Sequence, residues 1–274
     1  MSTESDLRNE IVEAGKRLYA KDFVAYNDGN ISARLNDKEL LITPTGVSKG
    51  FMAHDQLLRV DYEGNLISGF MKPTSEMRMH LAIYHCRQDV HAVVHAHPPT
   101  ATGFAVAGVP MDKISLPEMV YNLGRITLSE YATPTTDEVP AAVAKQITCC
   151  DGMLLANHGA ITVGKDVMDA YFKMETLEAI AKISLVARTL GGENFLSEEQ
   201  TKDLYDIRRK MGRPVFTENQ CGTCIYSPAR QSTSKPAVCP SAVQAAIKEK
   251  ATSLNIEDEL VSVIVDTILE CLNG

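Results

Sequence analysis

Two kinds of hydrophobic pattern alternate along the first three quarters of the chain. Leu7, Ile11, Ala14 and Leu18 recur at helical spacing and predict an amphipathic helix at the start. Short aliphatic runs follow at 31–35, 39–43, 57–61 and 65–68, separated by Asn, Asp and Gly, and these read as strands. Helical stretches are predicted over 75–86, 137–147 and 166–190. Another begins at Ser197, where Ser197-Glu198-Glu199-Gln200 has the form of a capping box. Further strands are predicted at 92–96, 152–156 and 160–163. Neighbouring short strands joined by tight turns pair antiparallel, so the predicted fold class is α/β, in layers around a mainly antiparallel central sheet.

After Gly212 the pattern breaks. Residues 213–240 hold Pro214, Pro228, Pro236 and Pro240 among polar residues and predict a flexible linker. Residues 241–274 predict a helical tail: Asn255 and Asp258 stand at capping spacing, and Leu260, Val261, Ile264, Val265, Ile268, Leu269 and Leu272 share one half of a helical wheel. The expected organisation is a compact domain over 1–212, a linker over 213–240 and an amphipathic tail over 241–274.

Composition narrows the function. The 274 residues are 45% hydrophobic and 23% charged, as in an ordinary soluble protein, and the net charge of −8 argues against a nucleic-acid partner. Residues 2–13 are polar and no apolar run reaches spanning length, so neither a signal peptide nor a membrane partner is expected. Seven cysteines without a secretory signal suggest reduced thiols and a cytoplasmic location. Four of them (Cys221, Cys224, Cys239 and Cys271) lie beyond the compact domain. Cys221, Cys224 and Cys239 read as incidental thiols or as part of a metal-binding linker.

The segment richest in chemistry is His91-Ala-Val-Val-His95-Ala-His97-Pro98. In a strand, residues two apart point to the same face, so His95 and His97 can present two imidazoles to one ion. Asn157-His158-Gly159, at the end of another apolar run, offers a third. Three neutral histidines leave a divalent cation its full charge and open positions, the layout of a catalytic site. Upstream, Glu76 in Lys72-Pro73-Thr74-Ser75-Glu76 reads either as a helix-capping carboxylate or as an acid/base. His80 and His85 read as packing or surface residues, His54 as a loop residue and His91 as at most a supporting neighbour. Gly29-Asn30-Ile31-Ser32 and Thr43-Pro44-Thr45-Gly46 offer N–H groups, hydroxyls and an amide that suit a phosphate, or are simply turns.

In this order, Gly-Asn-Ile-Ser, Thr-Pro-Thr-Gly, Pro-Thr-Ser-Glu, His-Ala-His-Pro and Asn-His-Gly resemble the class II sugar-phosphate aldolase family, whose superfamily also includes an epimerase and methylthioribulose-1-phosphate dehydratase. The resemblance covers roughly residues 5–212. It implies the class II aldolase/adducin-like fold with helices on both faces of the sheet, and one Zn²⁺ per subunit on His95, His97 and His158. It also implies Glu76 as catalytic acid/base, and Asn30, Thr45, Gly46, Thr74 and Ser75 around the substrate phosphate. Of two tyrosines expected of the family, one falls at Met211 and the other is matched by Tyr121 as a tentative proton donor. A raised Glu76 pKa would suit its role. The implied reaction is retro-aldol cleavage of L-fuculose-1-phosphate or L-rhamnulose-1-phosphate to dihydroxyacetone phosphate and L-lactaldehyde. Alternatives are a methylthioribulose-1-phosphate dehydratase or another pentulose-phosphate lyase, and a non-catalytic adducin-like module. A homotetramer is implied. The tail resembles peptides that target enzymes to bacterial microcompartments, with a shell protein as partner of residues 255–272.

Overall fold

The structure, a computed structural model, describes residues 3–216. Most of the predicted linker, the tail helix and Cys221, Cys224, Cys239 and Cys271 lie outside the described residues.

Eight strands form one sheet: β1 (Asn30–Arg34), β2 (Glu39–Ile42), β3 (Leu58–Asp61), β4 (Leu66–Ser68), β5 (Ala92–Ala96), β6 (Ile126–Leu128), β7 (Gly152–Leu155) and β8 (Gly159–Gly164). Their order is β4-β3-β2-β1-β5-β8-β7-β6. Every neighbouring pair is antiparallel except β6 and β7. That exception follows from the connection. A helix, α4 (Glu138–Ile147), crosses between these two strands, and such a crossover brings the chain back parallel.

The period of two along the strands feeds two cores. On one face Ile31, Leu41, Ala92, Val94, Ala96 and Ala160 are buried with residues of α1 (Glu4–Ala20), α3 (Pro99–Ala107) and α5 (Val167–Thr189). On the other Leu40, Ile42, Val93, Ile161 and Val163 pack with α2 (Met77–Cys86) and α4. Helices therefore cover both faces, as the resemblance implied. In α1, Ile11, Ala14 and Leu18 are fully buried. At the start of α6 (Glu198–Lys210) the Ser197 hydroxyl accepts from the Gln200 N–H, and the Gln200 side chain accepts from the Ser197 N–H, completing the predicted box.

Two elements escape the sequence pattern. Helix α3 starts at a proline, is built mostly of small residues around Phe104 and ends on Gly108 with φ 65°, so it has no amphipathic period. Strand β6 has only three residues. Buried Asp151 holds Arg87 at 3.0 Å, Arg208 at 2.8 Å and Lys173 at 3.2 Å, tying β7 to α5 and α6. Among the described residues Cys86 and Cys150 are free thiols. Among the described residues no helix is long and apolar enough to cross a membrane.

Candidate metal centre and active site

The centre of the sheet gathers the candidate residues at one end. Asn30 begins β1 and faces His95 directly across the β1–β5 ladder, so both side chains emerge on one face. Strand β8 lies on the other side of β5, with Ala160 opposite Ala96. Between β7 and β8 the chain turns through Ala156, Asn157 and His158, closed by the His158 N–H donating to the Leu155 carbonyl at 3.0 Å. Asn157 takes the left-handed conformation (φ 57°) that this tight reversal needs and that Asn tolerates. His158 thereby projects from the hairpin tip toward the end of β5. Immediately after β5, the His97 N–H donates to the Phe23 carbonyl at 2.8 Å, which fixes the third ring.

The three rings converge. Ligand nitrogens of His95, His97 and His158 all lie within 4.8 Å of one another. The Nε2 atoms of His95 and His97 are 3.2 Å apart. Two nitrogens bound tetrahedrally at ~2.0–2.1 Å from zinc stand roughly 3.4 Å apart, so the pair fits a single ion. His95 is fully buried and its Nδ1 donates to the Ala160 carbonyl at 3.0 Å, which points Nε2 into the cluster. Asp28 stands 3.6 Å from His97 Nδ1. Room for the rings depends on Gly159: a Cβ there would lie 2.5 Å from His97 Cδ2, 2.7 Å from the Ala96 oxygen and 3.3 Å from His95 Cε1.

Glu76 closes the site. It precedes α2, yet its side chain makes no capping hydrogen bond, so the capping reading gives way to the other. Oε2 lies 3.2 Å from His95 Nε2 and accepts from Asn30 Nδ2 at 2.8 Å, while Oε1 lies 3.4 Å from His158 Nε2. Oε1 is buried without a hydrogen-bond partner. Such an orphan carries a desolvation cost that a bound cation or substrate hydroxyl would relieve. Three convergent imidazoles, a glycine cradle and this orphaned oxygen together fit a divalent metal.

Electrostatics points the same way. Burial pushes the Glu76 pKa up, but the charge of His95, the hydrogen bond from it, the charge of His158 and the Asn30 amide outweigh burial and hold it below the usual carboxylate range. The expected raised pKa is thus reversed, because burial acts against three polar neighbours at once. Burial lowers His95 in turn, yet the facing Glu76 carboxylate leaves it raised. Burial and then repulsion from His95 and His158 drop His97 to about 3, and burial and His95 lower His158. The cluster resists collecting several protons and suits one concentrated positive charge.

Beside the histidines, two loops are pinned together. Pro44 and Pro73 form an isolated antiparallel bridge, the Thr45 N–H donates to the Lys72 carbonyl at 3.0 Å and the Thr74 N–H to the Thr43 carbonyl at 3.1 Å. Thr45, Gly46 and Ser75 are exposed here, and Gly46 (φ 74°) has open space where a Cβ would stand. Thr74 is buried and its hydroxyl accepts from the Glu76 N–H at 3.3 Å. Asn30 is already committed to Glu76 and to His80. Two residues stand apart. The Tyr121 carbonyl accepts from Arg208 at 2.8 Å beside Asp151, which precedes β7 and so lies toward the far end of the sheet. Met211 lines a cavity of about 440 Å³ with Val90, Gly164 and Lys173, also at that far end. Of the other histidines, His91 and His85 are exposed, while His80 is fully buried against Asn30 and Ser32.

Similar proteins bear on this geometry. Residues 9–185 match the model of the class II aldolase and adducin N-terminal domain. An L-fuculose phosphate aldolase of Methanococcus maripaludis is 35% identical over 181 residues, which cover 66% of this chain and 97% of that protein. A 3-oxo-tetronate 4-phosphate decarboxylase of Cupriavidus necator is 36% identical over 196 residues, 70% of this chain and 89% of the relative. A solved L-fuculose 1-phosphate aldolase superposes with a TM-score of 0.70 at 30% identity, covering 76% of this chain and 98% of its own. With its histidines converged on one point and Glu76 facing them, the chain belongs to the class II aldolase and adducin N-terminal domain family.

Proposed function

We propose that the protein is a zinc-dependent aldolase that cleaves a deoxyketose 1-phosphate, L-fuculose-1-phosphate or L-rhamnulose-1-phosphate, into dihydroxyacetone phosphate and L-lactaldehyde. The observation that carries this reading is the buried, unpartnered Glu76 Oε1 facing three convergent imidazoles. His95, His97 and His158 would hold the metal, which when bound supplies positive charge to the oxygens of a developing enediolate.

The reaction breaks the C3–C4 bond. The C4 hydroxyl passes its proton to the Glu76 carboxylate and becomes the aldehyde, and the bond's electron pair moves into the C2 carbonyl to leave the enediolate. Glu76 then delivers a proton to C3, completing dihydroxyacetone phosphate. Its carboxylate is held beside the cluster by Asn30, so it can shuttle one proton per turnover. Thr45, Gly46, Thr74 and Ser75 receive the phosphate, supplying binding energy away from the breaking bond. The Tyr121 carbonyl accepts from Arg208 beside Asp151, at the end of β7 opposite to His158. As proton donor Tyr121 would act in a neighbouring subunit, consistent with a homotetramer.

The decarboxylase-like relatives favour a second reading, and its chemistry converges on the first. A 3-oxo acid that loses its carboxylate as CO₂ leaves its electron pair on the adjacent carbon. For 3-oxo-tetronate 4-phosphate that product is the same enediolate. The deciding experiment incubates the zinc-loaded protein with L-fuculose-1-phosphate, L-rhamnulose-1-phosphate and 3-oxo-tetronate 4-phosphate. Triose phosphate with equimolar lactaldehyde supports the aldolase. Triose phosphate only with CO₂ establishes the decarboxylase instead. No chelator-sensitive triose phosphate from any of the three overturns both, as would a diketone phosphate formed by dehydration of methylthioribulose-1-phosphate.

The sequence beyond residue 212 supports a role as an address to a microcompartment shell. Removal of residues 213–274 tests it: the truncated enzyme should lose co-sedimentation with shells while retaining turnover, and continued co-sedimentation would end that reading.

A further inference from the structure

Behind Glu76 a buried polar chain runs from Asn30 into the space between β1 and α2. Asn30 Nδ2 donates to Glu76 Oε2 at 2.8 Å. Asn30 Oδ1 meets His80 Nε2 at 2.5 Å, His80 Nδ1 meets Ser32 Oγ at 2.6 Å, and Ser32 Oγ meets the Tyr84 hydroxyl at 2.8 Å. Ser32, His80 and Tyr84 are fully buried and Asn30 nearly so. The sheet and helix α2 set this spacing. Asn30 and Ser32 point to the same face of β1, and His80 and Tyr84 stand one turn apart on α2.

Every direction in the chain follows from its first member. A carboxylate only accepts, so the Asn30 NH₂ must face Glu76 and its carbonyl oxygen must face His80. His80 Nε2 therefore carries a hydrogen. Burial holds this ring neutral, with its pKa down at about 3, so Nδ1 accepts from the Ser32 hydroxyl. The Ser32 oxygen then takes its own hydrogen bond from Tyr84. Tyr84 is anchored in turn, with the Arg34 guanidinium 4.8 Å from its ring centre and donating to its backbone carbonyl at 2.8 Å. Without His80, the amide could rotate and set its oxygen against the carboxylate.

We propose that His80 is a positioning residue: through the buried chain Tyr84–Ser32–His80 it locks the Asn30 amide in the one orientation that donates to Glu76, and so holds the carboxylate at the histidine cluster. This inference rests on the acid/base role of Glu76, and its test has one arm that does not.

The independent arm is long-range ¹H–¹⁵N NMR of histidine-labelled, metal-free protein at neutral pH. His80 should be a single Nε2–H tautomer, and the Asn30 side-chain amide should be slow to exchange. The Nδ1–H tautomer, or a rapidly exchanging Asn30 amide, would overturn the proposal whatever the substrate proves to be. The kinetic arm compares His80→Gln, which can still donate to Asn30, with His80→Phe, which cannot. His80→Phe should lose about 10- to 100-fold in kcat, the range for removing a supporting hydrogen bond behind an active group. Its KM should change little and its bound zinc should equal that of the wild type. His80→Gln should recover most of the rate. Equal rates for the two variants, or a parallel loss of zinc, would reduce His80 to packing and refute the proposal.

Discussion

Gly159 offers the sharpest probe of the histidine cluster because its backbone dihedrals suit alanine, whereas a Cβ there would crowd both His97 and the Ala96 oxygen. The residue begins β8, paired with Leu155, and its φ is not positive, so strand geometry does not resist the change. The new Cβ would stand 2.5 Å from His97 Cδ2, whereas carbon atoms normally approach to about 3.5–4.0 Å. It would also stand 2.7 Å from the Ala96 oxygen, which is held in the β5–β8 ladder opposite Ala160 and cannot retreat. The imidazole of His97 must therefore move by about 1 Å, twice the ~0.5 Å that a preorganised site tolerates. Zinc affinity of Gly159→Ala should fall about 10- to 100-fold, as for other changes that misalign a ligand. The assay is competition of the metal-free proteins with a chromophoric chelator, alongside circular dichroism to verify folding. Overpacking alone costs ~1–3 kcal/mol, so the variant should remain folded. A folded Gly159→Ala protein with wild-type zinc affinity would refute the convergence of these rings on one ion.

Other outcomes follow from the same geometry. Glu76→Gln can still accept from Asn30, so it should bind zinc normally while turnover falls by about 10²–10⁴, measured as triose phosphate release. Asp151→Asn leaves Arg87, Lys173 and Arg208 without their shared buried anion. It should cost ~3–5 kcal/mol in urea unfolding, and an unchanged midpoint would contradict the ion cluster. His80 has a folded pKa of about 3 against an ordinary value of 6.5. Its contribution is present in full above about pH 6.5 and is lost as pH falls toward 3, because only the unfolded chain takes up the proton. Wild-type stability in the presence of EDTA should therefore fall by about 1.4 kcal/mol more per pH unit below 6 than that of His80→Gln. Parallel stability curves would show that the ring is not buried neutral.

What the sequence revealed and what it withheld divide along the range of the interactions. His95 and His97 were legible as a pair because strand alternation is local, and His158 because it follows a second apolar run before a glycine. The strands around them emerged within a residue or two for the same reason. The parallel pairing of β6 with β7 was not legible, since it depends on where α4 carries the chain. Nor was the hold of Asn30 on Glu76, 46 residues away, or of His80 on Asn30 across 50. No spacing rule joins such positions, and His80 looked like any histidine on a helix. Glu76 is the instructive case. Its place at a helix start suggested a cap, and only the positions of His95 and Asn30 show that its carboxylate turns away from the helix and that its pKa moves down.

The proposed centre is one divalent metal held by His95, His97 and His158 beside Glu76. Crystals of zinc-loaded protein measured at the zinc absorption edge test it directly. One anomalous peak per chain, bounded by Nε2 of His95 and His97 and by a ring nitrogen of His158, with Glu76 adjacent, is the predicted result. A peak elsewhere, or a folded protein that takes up no zinc at these three residues, would contradict it.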